Sequence, residues 1–102
     1  MSYVSTNKKA RDAKRKADIE SIRSAIEIYR TDQGRYPSLN INASNCITSS
    51  SISSGAVTYL GQLPSDPKYD RATYCYKYVI GGAPFTTYTL SCTFEKAKWR
   101  HP

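Results

Sequence analysis

Residues that carry enzyme chemistry are scarce in this chain of 102 residues. The single histidine, His101, lies next to the C-terminus, and none of the five glycines belongs to a phosphate-binding loop. Without an evident pair of nucleophile and base, the sequence favours a protein that is not an enzyme. The three cysteines follow one another at intervals of 29 and 17 residues, which matches no zinc-binding pattern. We therefore expect neither a cofactor nor a metal.

Long hydrophobic runs are also missing. No apolar stretch approaches the ~20 residues that span a bilayer, and no signal peptide is recognisable, so we expect the chain as given to be soluble. A length of 102 residues predicts a single domain, residues 1–102, with a small core. Such a domain is expected to need a disulfide or neighbouring subunits for stability.

Acidic residues are the rarer charge. Eight Asp and Glu stand against fifteen Lys and Arg, a formal net charge of +7, and the first thirty residues hold eight basic and four acidic side chains. A basic segment of this kind can contact phosphates, anionic lipid or an acidic partner surface. It can equally be a solvated helix, and composition does not choose between the two.

The longest predicted element is a helix over residues 7–30, a stretch with no Gly and no Pro. Gly34 is well placed to end it in a left-handed conformation. The second half carries one apolar stripe at steps of three and four residues, which predicts packing against a sheet. This predicted helix-sheet core consists of Ile19, Ile22, Ile26 and Tyr29.

The first half of the helix has different faces. The face that continues the apolar stripe carries Lys8, Arg11 and Arg15, so we expect this half to project beyond the domain. The opposite face carries small residues continued by one isoleucine, and small side chains let another helix approach closely. This candidate assembly face consists of Ala10, Ala13, Ala17 and Ile28. The alternative is that alanine, a strong helix former, simply fills a solvated surface.

After the helix, residues 31–72 are expected to be mostly loop, with a serine-rich stretch at 39–54 and a short helical turn at 56–63. Two runs of alternating β-type residues, at 73–80 and 85–94, predict an antiparallel hairpin, followed by a tail at 95–102. One face of the hairpin can cover the apolar stripe of the helix. The expected fold class is therefore α+β, one long N-terminal helix packed on a small antiparallel sheet.

The cysteines Cys46, Cys75 and Cys92 suit an exported protein with one disulfide. If Ile80 lies opposite Thr87 in the hairpin, Cys75 falls opposite Cys92, within disulfide reach. A bond from Cys46 to either of the other two is as plausible. One thiol is left over or pairs between chains.

Taken together, several segments resemble the soluble part of bacterial type IV pilins and type II secretion pseudopilins. They are the run KARDAKRKADIESIRSAIEIYRTDQGRYP (residues 9–37), LPSDP (63–67), the Tyr-x-Tyr strand at Tyr76 and Tyr78, and YTLSCTFE (88–95). In such proteins a long N-terminal helix has a hydrophobic first half, which spans the membrane before assembly and forms the filament core afterwards. The second half is amphipathic and packs on an antiparallel sheet.

The resemblance implies a structural subunit of a pilus or secretion pseudopilus that assembles with other pilin subunits through its N-terminal helix. It also implies that this chain is truncated, without the hydrophobic segment that anchors such a protein in the membrane, and that the filament lies in the periplasm or outside the cell. Similar major pseudopilins bind calcium in a C-terminal loop. Here the loop at residues 81–84 has no carboxylate, and Asp66 and Asp70 alone are too few ligands, so we expect no calcium site. The pair Cys75 and Cys92 is similar to the disulfide of many pilins.

The alternative hypothesis is a pilin-like subunit that binds DNA in a DNA-uptake system. Tyrosines or Trp99 would then stack on single-stranded bases, and basic side chains would contact phosphates. The candidate DNA contacts are Lys68, Arg71, Lys77, Lys96, Lys98 and Arg100.

Overall fold

A single helix, α1, dominates the computed structural model, which describes the backbone of residues 3–95 and the side chains of residues 8–95. Helix α1 spans Tyr3–Gln33, longer at both ends than residues 7–30. It ends as the sequence predicts, because Gly34 adopts a φ of +82° and its N–H donates to the carbonyl of Arg30 at 2.8 Å. The molecule is 49 Å along its longest axis, and the helix accounts for this length.

The first hairpin lies where the sequence analysis expected loop and a helical turn. Strand β1 (Ile52–Ser54) pairs antiparallel with β2 (Val57–Leu60), and the two are joined by a two-residue turn. The predicted helical turn at residues 56–63 is therefore wrong. Gly55, with a φ of +60°, supplies the turn conformation that most side chains disfavour, and Val57, Thr58 and Tyr59 are residue types that favour strands.

The second hairpin confirms the predicted pairing but with shorter strands. Strand β3 (Lys77–Ile80) pairs antiparallel with β4 (Tyr88–Ser91). Ile80 lies opposite Tyr88, one residue away from the register that was assumed for the hairpin. If this register continued beyond Lys77 and Ser91, Tyr76 and not Cys75 would lie opposite Cys92. Cys75 and Cys92 would then be on opposite faces, because neighbouring residues of a strand alternate.

The disulfide joins Cys46 to Cys75, one of the pairings that the sequence left open, and the alternative pair of Cys75 with Cys92 does not form. Cys46 belongs to the serine-rich stretch, yet its side chain is completely buried, because this part of the stretch lies along β3. A β-bridge links Cys46 to Lys77, and the N–H of Tyr78 donates to the carbonyl of Asn45 at 3.0 Å. Cys92 has a free thiol whose pKa is raised by burial.

The core lies between α1 and the two hairpins. It contains three buried residues of the helix stripe together with aromatic and aliphatic side chains of the β region. The buried members are Ile22, Ala25, Ile26, Tyr29, Tyr36, Ile52, Tyr76 and Tyr78. The architecture is an α+β fold in which one long helix packs on small antiparallel sheets.

Candidate functional site

The two faces of α1 differ as the sequence pattern suggested they would. On the inner face Ile22 and Ile26 are completely buried, Tyr29 is 6% exposed, and Ile19 is partly buried against the same core. The four predicted helix-sheet core residues therefore lie together.

The candidate assembly face lies on the outer side of the helix. Ala10, Ala13 and Ala17 are exposed, and Ile28 is 53% exposed. Within the described part of the chain, no other element covers this stripe. A row of small side chains that ends in an exposed isoleucine offers a smooth, partly apolar surface on which another helix can pack closely.

A buried arginine forms the main polar feature of the inner face. Arg15 is completely buried, and its Nε and Nη2 donate to the two carboxylate oxygens of Asp66 at 2.8 and 2.9 Å. Its Nη1 lies 2.6 Å from the carboxylate of Asp12 and 2.9 Å from that of Glu95. The planar guanidinium thus engages three carboxylates from three parts of the chain. We call Arg15, Asp12, Asp66 and Glu95 the Arg15 cluster.

Two further cations surround the cluster. Arg11 donates to Glu95 at 2.7 Å through Nη2, and the Nζ of Lys68 lies 3.8 Å from the same carboxylate. The hydrogen bond from Arg11, with that from Arg15, lowers the pKa of Glu95 to about 2. The hydrogen bond to Asp66 raises the pKa of Arg15. Both shifts favour the ionised forms of Arg15 and Glu95.

This cluster corrects the expectation that the first half of the helix projects free of the domain. Arg11 and Arg15 continue the apolar stripe and meet carboxylates instead of water. The sequence pattern does not reveal the cluster, because Asp66 is 51 residues away from Arg15 and Glu95 is 84 residues away from Arg11. The one local signal in the sequence is that Arg15 occupies a core-facing position of the stripe and Asp12 lies one turn earlier. This arrangement indicates a paired, buried arginine.

Tyrosine hydroxyls tie the β region to acidic side chains of the helix. Tyr76 donates to Asp18 at 2.6 Å, and Tyr36 and Tyr88 both donate to Glu27 at 3.1 Å. Burial, followed by the hydrogen bond to Glu27, raises the pKa of Tyr88 to about 12. These tyrosines are structural, and their rings are not presented for stacking on bases.

The candidate DNA contacts are only partly placed. Lys96, Lys98 and Arg100 lie outside the described residues, as does Trp99. Lys68 has its ammonium near Glu95 and 4.8 Å from the centroid of the Tyr74 ring. Arg71 is exposed, whereas Lys77 is half-buried in β3. The described candidates therefore do not form a continuous basic groove.

Two properties of the described residues bear on anchoring and metal binding. No helix among residues 3–95 is long and apolar enough to cross a membrane. Among the same residues, no group of three or more His, Cys, Asp or Glu side chains is placed to hold a metal ion. The three carboxylates of the Arg15 cluster converge on a guanidinium.

Comparisons with known proteins agree with the fold. No curated protein and no solved structure matches the chain. A family model described as type II secretion system (T2SS), protein G matches residues 2–92, which include α1, both hairpins and three of the four residues of the Arg15 cluster. The match covers nearly the whole described structure, so the chain belongs to the type II secretion system protein G family, and it is a pseudopilin.

Proposed function

We propose that this pseudopilin is a structural subunit that joins other pseudopilin subunits in a filament of the cell envelope through the outer face of α1. The family assignment supports a subunit of the type II secretion pseudopilus. The observation that carries the finer proposal is the uncovered stripe of Ala10, Ala13 and Ala17, which lies on the helix face opposite the core. The role is structural, and no catalytic step is assigned to it.

Physical chemistry favours this face over the rest of the surface. Alanine side chains let two helix backbones come close and lose almost no rotamer freedom on burial. A second helix can therefore pack against this stripe with little loss of side-chain entropy. Ile28 adds apolar area at the end of the stripe that would be removed from water in a filament. The neighbouring charged side chains can border the contact without being buried in it.

The test is site-specific photo-cross-linking in cells that carry the secretion system. A photoreactive amino acid at Ala17 should give cross-links between subunits, whereas the same residue at Ala56, exposed in the turn between β1 and β2, should give far fewer. Ala17→Glu should reduce the filament-associated fraction and secretion, and the matched variant Ala56→Glu should not. Equal cross-linking from both positions would contradict the assignment of this face.

The DNA-binding alternative has less support. Lys68 has an acidic neighbour in Glu95, Lys77 is half-buried, and the tyrosines of the core are turned inward. A genuine multi-phosphate contact would weaken steeply as salt rises. Binding of single-stranded DNA that falls by orders of magnitude between low and physiological salt, and that is lost in Arg71→Ala, would favour the alternative.

A further inference from the structure

Two segments meet the first half of α1 at the Arg15 cluster through acidic side chains. The turn at residues 64–68 contributes Asp66, which is 3% exposed and also accepts the N–H of Lys68 at 2.8 Å. The segment after β4 contributes Glu95, whose own N–H donates to Asp12 at 3.0 Å. Both contacts are therefore polar, and both converge on one turn of the helix.

The segment after β4 borders an open groove. Cys92 and Phe94 line this groove of about 480 Å³ together with Ile19 and the side chains of Lys16 and Glu20. Cys92 also packs against the core, but the open side of the groove adds no van der Waals contacts. The ion pairs of Glu95 add contacts of defined direction at the end of this segment.

A buried guanidinium defines position better than an apolar contact does. Two hydrogen bonds to Asp66 and one to each of two other carboxylates have fixed directions, and a shifted arrangement would leave a buried charge unpaired. The cluster adds less to stability, because removing these charges from water costs about as much free energy as their mutual attraction returns. Such a cluster therefore contributes more to a unique arrangement than to net stability.

We propose that the Arg15 cluster is a positioning device that sets where the 64–68 turn and residues 92–95 rest against α1, and so shapes the surface beside the assembly face. The functional value of this positioning rests on the proposed filament role. A helical filament repeats one contact many times and therefore needs the same surface in every subunit. The positioning itself is a property of the single chain.

The test compares three variants of the chain. Arg15→Met alone leaves three carboxylates facing one another, whereas the triple variant R15M/D66N/E95Q removes three of the four cluster charges at similar volume and leaves the charge of Asp12, which is partly exposed. The conservative variant Arg15→Lys keeps the charge and removes the planar fork. Melting temperatures report stability, and amide hydrogen exchange followed by NMR reports position.

We expect the triple variant to melt closer to the wild type than Arg15→Met does. In the triple variant and in Arg15→Lys, the amides of residues 68 and 95 should exchange at least ~10-fold faster, while those of Ile22 and Ile26 in the core stay unchanged. Wild-type exchange at residues 68 and 95 would overturn the proposal, as would a triple variant that melts below Arg15→Met or fails to fold. A failure of the filament proposal would be seen separately, in absent cross-linking at Ala17 of the wild-type chain.

Discussion

Arg15 and Asp66 form a fully buried, two-point ion pair between the first half of the helix and a turn 51 residues later, with both hydrogen bonds within 2.9 Å. Removing one partner of a buried pair leaves the other charged and without its counter-ion. We expect Asp66→Ala to lower the free energy of unfolding by about 3–5 kcal/mol. Urea denaturation measures this change. Asp32→Ala, at an exposed carboxylate that accepts a hydrogen bond from Tyr59, should change the free energy of unfolding by less than about 1 kcal/mol.

The lowered pKa of Glu95 predicts that the stability of the fold depends on pH in the acidic range. The pKa of Glu95 is lowered from 4.5 to about 2 in the folded chain, so the folded state holds the ionised form more strongly than the unfolded state does. The stabilisation is therefore complete above about pH 5 and is lost as the pH falls towards 2. We expect the difference in stability between wild type and Glu95→Gln to shrink over this range, measured by urea denaturation at several pH values. A difference that stayed constant from pH 6 to pH 2.5 would contradict the ion pairs.

The disulfide gives a third prediction. Cys46 and Cys75 are 29 residues apart, and closing a loop of this length is expected to stabilise the fold by about 3–4 kcal/mol. The variant Cys46→Ser/Cys75→Ser should show this loss in thermal or urea denaturation, increased by the burial of both positions. Cys92→Ser, which changes a half-buried free thiol, is the matched control, and its free energy of unfolding should fall much less. Peptide mapping without reduction should recover Cys46 joined to Cys75, and recovery of Cys92 in the bond would contradict the structure.

A buried tyrosine gives a fourth prediction. The hydroxyl of Tyr78, which is 1% exposed, donates to the carbonyl of Pro37 at 2.6 Å. Tyr78→Phe keeps the ring but leaves that carbonyl without this donor, so we expect a loss of about 1–2 kcal/mol in the free energy of unfolding. Tyr59→Phe removes a hydroxyl that bonds at the surface and should cost less than about 0.5 kcal/mol. If both variants lost the same free energy of unfolding, burial of the Tyr78 hydroxyl would not be the cause of its loss.

The features that sequence predicted well are local ones. The stripe of Ile22, Ile26 and Tyr29 repeats within three turns of one helix, and Gly34 ends that helix through its own backbone freedom. Both signals are complete within about a dozen residues, so no knowledge of the rest of the fold was needed to find them.

The features that sequence missed depend on distant partners or on very short elements. Arg15 reads as a surface cation until Asp66 and Glu95 are brought to it by the fold. The β1–β2 hairpin has strands of three and four residues, too short for an alternating pattern to be recognised. The sequence left the disulfide pairing open, and the register that placed Cys75 opposite Cys92 is off by one residue, which moves every side chain to the other face.

The bond between Cys46 and Cys75 also turns residues 46–75 into a closed ring that contains the β1–β2 hairpin and the 64–68 turn. A protease that cuts once inside this ring leaves both halves covalently joined, so a nicked subunit does not separate into two pieces. The ring also tolerates changes in size, because doubling its length costs only about 0.6 kcal/mol in closure entropy.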